Sequence, residues 1–143
     1  MGPDVAPAIE DWIASLPEEA TAERVRVDFW YVRLPGTARR WIPLEIEVGE
    51  RTVKVTSHMI IEPDERHADV YRLLLRYNHE ASGVAFSIDG REGVICLVGR
   101  IAIAEASAAA LDAMAGRIVA RTESTFRTIL RLGFAGRLAR SRP

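Results

Sequence analysis

Hydrophobic and polar residues alternate one by one through residues 24–61, and the rest of the chain is arranged around that stretch. Val25, Val27, Phe29 and Tyr31 share one side, with Arg24, Arg26 and Asp28 on the other. Period two with β-branched and aromatic residues predicts a half-buried strand. Trp30, Val32 and Leu34 make the opposite side apolar too, which predicts cover on both faces toward the strand's end. Leu34-Pro35-Gly36-Thr37 is a turn signal. Residues 41–48 place Ile42, Leu44, Ile46 and Val48 together, opposite Trp41, Pro43, Glu45 and Glu47. Pro43 cannot donate to a ladder, so its end lies at an edge or bulge. Gly49-Glu50 reads as a hairpin turn. In residues 51–61, Val53, Val55, Ser57, Met59 and Ile61 alternate with Thr52, Lys54, Thr56 and His58, a second face that is wet or covers something polar.

Helical spacing takes over elsewhere. Ile9, Trp12, Ile13 and Leu16 predict a short helix before this stretch, ended by Pro17. After it, Asp64 reads as the N-cap of a second helix lined by His67, Val70, Tyr71, Leu74 and Tyr77, widened by Leu73 and Leu75. Residues 84–88 and 94–98 are two further strands joined by a glycine-containing loop. Residues 94–98 are continuously apolar, which predicts a central strand buried on both faces, interrupted by Gly99-Arg100. Ser107 caps a last, long helix with Leu111, Met114, Ile118, Thr122, Phe126, Ile129 and Gly133 in one stripe. Gly133 reads as its C-cap. The predicted class is α+β: a five-stranded antiparallel sheet in the order α-βββ-α-ββ-α. One domain spans residues 1–134, followed by a basic flexible C-terminal tail over residues 135–143.

Composition narrows the function classes. The 143 residues suffice for one core without a staple, and one cysteine excludes an internal disulfide framework. No apolar run approaches the about 18 residues of a membrane span. The N-terminus is acidic and lacks the basic region of a signal peptide, and Gly2-Pro3 without a basic cluster argues against myristoylation. A cytoplasmic protein is expected. The net charge of −1 is unevenly spread: residues 1–23 hold six acidic and no basic side chains, whereas residues 117–143 hold seven arginines and one glutamate.

Candidate chemistry is sparse. His58, His67 and His79 are scattered, and none pairs with another at a helical metal-site spacing. Cys96 lies in an apolar strand and reads as an inert buried thiol. Glu45 and Glu47 share a strand face as an acid–base pair would, but a solvated face opposite Leu44 and Ile46 is the better reading. No catalytic residue, cofactor or metal is expected. Arg117, Arg121, Arg127 and Arg131 on the last helix, with Arg137, Arg140 and Arg142 beyond it, form a cluster that offers phosphate contacts. No aromatic platform accompanies it and the net charge is near zero, so a solvated helix face or a complement to the acidic N-terminal segment is the favoured reading, and nucleic acid is the alternative partner. Trp30, Tyr31 and Trp41 cluster in the first hairpin, with Trp30 and Trp41 opposite the main apolar faces of their strands. They are the candidate protein-binding residues.

Several segments carry a family resemblance. Residues 30–36 and 39–43 resemble the opening hairpin of YbjN-domain proteins. Residues 71–78, 84–89, 97–100 and 129–134 continue the match in order and spacing, so that it covers about residues 9–134. The resemblance implies a bacterial sensory-transduction regulator with no established catalytic residue. It also implies a fold similar to type III secretion chaperones, dimeric α+β proteins that hold extended segments of partners. The expected function is therefore a non-enzymatic, homodimeric module that binds an extended segment of a protein partner.

Overall fold

The computed structural model describes residues 4–81 and 83–141. Helix α1 (Ala6–Ala14) precedes four strands: β1 (Thr21–Arg26), β2 (Phe29–Pro35), β3 (Trp41–Val48) and β4 (Thr52–Ile60). Helix α2 (His67–Glu80), strands β5 (Ala85–Asp89) and β6 (Val94–Ala102), and helices α3 (Ala108–Gly133) and α4 (Ala135–Ser141) follow. The sheet runs β1-β2-β3-β4-β6-β5 with every neighbouring pair antiparallel. Its core face carries Val32, Ile42, Leu44, Ile46, Val53, Met59, Ile95 and Leu97, all buried. Helix α3 lies against β3, β4 and β6 through its buried stripe, with α1 beside it and α2 between it and β5. Among the described residues, no helix is long and apolar enough to cross a membrane.

The α+β class and the antiparallel sheet hold, but there are six strands rather than five. The difference lies at Val27-Asp28. The predicted first strand is two strands: β1 and β2 form a hairpin, with a register shift between Arg24 and Arg26. An Arg24 Nη2 to Val27 carbonyl bond of 2.6 Å fastens the turn, and the Val48 N–H donates to the Asp28 carbonyl at 2.8 Å. A shift of one residue moves side chains to the opposite face. Val27 is accordingly 83% exposed and Val25 48% exposed, whereas Trp30, Val32 and Leu34 enter the core. Trp30, expected opposite the main apolar face, is 1% exposed. Its indole N–H donates to Glu10 Oε1 at 2.9 Å, so α1 satisfies the one polar group that Trp30 buries.

Four further expectations change. First, β6 is not central: it lies between β4 and the edge strand β5, and it runs through Gly99 to Ala102. Gly99 permits close packing, since an added Cβ would overlap Met114 Sδ on α3. Second, Asp64 does not cap α2. The N-cap is Arg66, in the left-handed region, and Asp64 pairs with Arg137 at 2.9 Å. Third, Gly133 is the last helical residue of α3, with Phe134 as C-cap. A Cβ on Gly133 would press on Pro63 and Val70 at 3.1 Å, and its carbonyl accepts the N–H groups of Asp64 and Glu65. Fourth, Leu75 is 70% exposed rather than part of the helix's buried side. Ser107 caps α3 as expected, accepting the Ala110 N–H at 3.0 Å. The segment expected as a tail carries α4, whose Gly136 N–H donates to Glu65 Oε1. Arg142 and the Gly2-Pro3 reading lie outside the described residues.

Candidate functional site

The helices gather on one side of the sheet, and the other side carries half-buried side chains from five strands. Strand register orders this open face into rows. Phe29, Glu47, Lys54 and Arg100 form one row across β2, β3, β4 and β6. Tyr31, Glu45, Thr56, Val98 and Ala85 form the next. Beyond them, His58, Cys96 and Ser87 are cross-strand neighbours. The polar alternation of β4 thus has its physical reason: Thr52, Lys54, Thr56 and His58 face away from the helix layer.

Two clefts open on this face. The first, of about 330 Å³, runs from Phe29, Glu47 and Lys54 to Ser87 and Val98. The second, of about 640 Å³, adds Arg39, Arg91, Glu92, Ile60 and Ile61. They share Glu45, His58 and Asp89. His58 Nδ1 lies 3.5 Å from Glu45 Oε1, and its Nε2 lies 3.8 Å from Asp89 Oδ2. The imidazole is therefore held between two carboxylates at distances too long for strong hydrogen bonds. Arg39 Nη1 donates to the His58 carbonyl at 2.7 Å, and burial lowers the pKa of that guanidinium against the opposing pull of the Tyr31 phenol.

Glu45 and Glu47 share this face as the alternation requires, but Glu47 stands opposite Lys54 while Glu45 turns to His58. Cys96 lines the first cleft. Burial, and then the negative charge of Asp89, push its thiol up to about 11, so it is neutral at physiological pH and a poor nucleophile. Among the described residues, no group of three or more His, Cys, Asp or Glu side chains is placed to hold a metal ion. The face offers mixed apolar and charged contact surface.

A family profile matches residues 35–131, and its description reads "Putative bacterial sensory transduction regulator". The chain belongs to the YbjN family. Among curated proteins, the uncharacterized protein Rv0487 of Mycobacterium tuberculosis is 38% identical over 109 residues, covering 76% of this chain and 59% of its own. The uncharacterized protein ML2442 of Mycobacterium leprae is 37% identical over 103 residues, covering 72% of this chain and 55% of its own. The chain thus spans less than two thirds of the length of the curated relatives it matches. The YbjN match begins at the end of β2, so it takes in Glu45, His58, Asp89 and Cys96 but not the β1–β2 hairpin tip.

The other residues singled out in this YbjN chain lie apart. Tyr31 and Trp41 are on the open face, half-buried, and Trp41 sits under the Arg33 guanidinium at 4.6 Å. Trp30 is on the opposite side and is not brought together with them. His67 is near Glu62 at 3.9 Å and edge-on to Tyr71, and His79 is exposed near the end of α2. Several arginines of the basic cluster serve the fold. Arg121 reaches the Tyr77 carbonyl at 3.4 Å, and Arg137 pairs with Asp64. Alternation alone did not find the clefts, because Asp89 and His58 meet only through the β4–β6–β5 order. Nor did it find Asn78. That side chain accepts the Phe86 N–H at 2.7 Å and donates to the Phe86 carbonyl at 3.1 Å, which occupies the outward backbone groups of edge strand β5 at that residue.

Proposed function

We propose that this protein is a non-enzymatic regulator of the cytoplasm that, as a homodimer, holds an extended segment of a partner polypeptide on its open sheet face. The observation that carries the reading is a face that no helix of the described residues covers, on which Tyr31 stands opposite Glu45, one of the residues the two clefts share, with Trp41 further along the same face. Aromatic anchors next to charged, partly desolvated pockets suit capture of a polypeptide with few rigid contacts. The resemblance to type III secretion chaperones supports the same reading as an analogy of fold. With Trp30 buried, Tyr31 and Trp41 are the contact residues. A photo-crosslinking residue at position 31 or 41, exposed to extract of the native host, is expected to trap a partner, while the same residue at Arg127 on the helix layer does not. Crosslinks arising only at position 127 would overturn the reading. They would favour the alternative, in which exposed Arg127, Arg131 and Arg140 contact nucleic acid with a strong salt dependence.

A further inference from the structure

The β1–β2 hairpin tip and the first cleft of the open face match each other in charge and polarity. The tip, residues 24–28, exposes Val25 and Val27 and carries one net positive charge: Arg24 lies over Trp30, and the exposed Arg26 is 3.8 Å from the Asp28 carboxylate. Val27, at 83% exposure, is the most exposed large hydrophobic side chain among the described residues. The cleft sets the carboxylates of Glu45, Glu47 and Asp89 against the single ammonium of Lys54, with Phe29 and Val98 among its apolar walls. Within its own chain the tip reaches only the outer wall of the cleft, where the Arg26 guanidinium lies over the Phe29 ring at 4.7 Å. It is tied to the end of β3 by the Val48 N–H bond to the Asp28 carbonyl, and Phe29, at its base, is already a wall of that cleft.

From this complementarity we infer that two copies of the chain pair reciprocally, each placing the Arg24–Val27 tip in the other's Glu45–Glu47–Asp89 cleft. The inference rests on the homodimer reading and supplies its interface. A two-fold axis near Phe29 fills both clefts at once with the same pair of surfaces, as an isologous dimer requires. The edges of the sheet offer poorer alternatives. Asn78 occupies the outward groups of β5 at Phe86. Two β1 strands paired about an axis normal to the sheet must set residues of like face opposite each other. At mid-strand that means Glu23 against Glu23 or Arg24 against Arg24, and like charges directly opposite destabilise a pair. The tip fills the first cleft of the partner copy and leaves Tyr31 and Trp41, which line neither cleft, to the partner segment.

Sedimentation equilibrium on the full chain tests this. The expected mass is twice the 15.9 kDa of one chain. Arg26→Glu and Val27→Asp on the tip, and Glu47→Arg in the cleft, are each expected to weaken the dimer about tenfold or more, as loss of a complementary interfacial charge or apolar contact does. All three side chains are exposed, so circular dichroism should be unchanged. The Arg26→Glu and Glu47→Arg variants, each weakened alone, are expected to pair more tightly when mixed, because each reversed charge then meets an opposite one. A mixture that pairs no more tightly than either variant alone, or a dimer indifferent to all three substitutions, would overturn the inference; the second of these leaves the homodimer reading standing. A monomeric wild type overturns both, while segment capture at Tyr31 and Trp41 is decided separately by crosslinking.

Discussion

Trp30 and Trp41 show how much one step of register decides at the level of single residues. Both are tryptophans of the first β-rich stretch, eleven positions apart. Trp30 falls on the helix-covered side with its indole N–H on Glu10, and Trp41 falls on the open side under Arg33. Replacing Trp30 with alanine leaves a cavity in the core and strands Glu10, a change expected to cost roughly 3–5 kcal/mol in urea unfolding. A loss below about 1 kcal/mol would mean the ring is not packed as described. Cys96 gives a pH-dependent prediction. Its folded thiol ionises near 11, above the 9.0 of an unperturbed thiol. The fold therefore disfavours the thiolate: the contribution to stability is complete below pH 9.0 and fades as pH climbs toward 11. Thiol labelling at neutral pH should be slow in the folded chain, and Cys96→Ala should flatten the loss of stability over that alkaline window. Fast stoichiometric labelling at pH 7 would contradict the burial.

At the scale of elements, close approach and clamping matter more than propensity. Gly99 lets α3 settle on β6 through Met114, so Gly99→Ala forces the helix outward or Met114 from its rotamer. A cost of about 1–3 kcal/mol is expected by chemical denaturation. The β2–β3 connection is clamped by α3: the N–H groups of Thr37 and Ala38 donate to the two carboxylate oxygens of Glu123, each at 2.7 Å. Glu123→Ala should therefore cost about 1–3 kcal/mol and speed amide exchange at those two positions specifically. Unchanged exchange there would show the clamp to be dispensable. These elements also mark what the sequence makes legible. Strands β3 and β4 have unbroken alternation, and α3 has a capping serine and a long stripe, so each stands where its pattern puts it. Residues 24–34 alternate too, but apolar residues occupy both phases, and the pattern cannot show that the chain reverses at Val27-Asp28. The site was less legible than the fold. Glu45 and Glu47 can be placed on one face from spacing alone, whereas the meeting of Glu45, His58 and Asp89 depends on β6 inserting between β4 and β5.

For the whole molecule, the decisive asymmetry is a sheet with all its helices on one side. Antiparallel sheets tolerate this because alternation supplies one apolar and one mixed face. The mixed face here keeps Tyr31 and Trp41 half-buried by their strand neighbours rather than by a helix, so substituting them removes contact surface without opening the core. Tyr31→Ser combined with Trp41→Ser is thus expected to cost far less stability than Trp30→Ala, on the order of 1–2 kcal/mol. The same double variant should lose most of the partner crosslinked from a probe placed nearby at Thr56, which shares the row of Tyr31. The two readouts must separate for the reading to stand. If the double variant unfolds as readily as Trp30→Ala, the open face is a structural layer and the aromatics belong to it. If it stays folded and still yields the same crosslinked partner, the segment rests elsewhere. Only retained stability with lost capture assigns binding to this side of the sheet, because nothing in the helix layer changes between the two proteins.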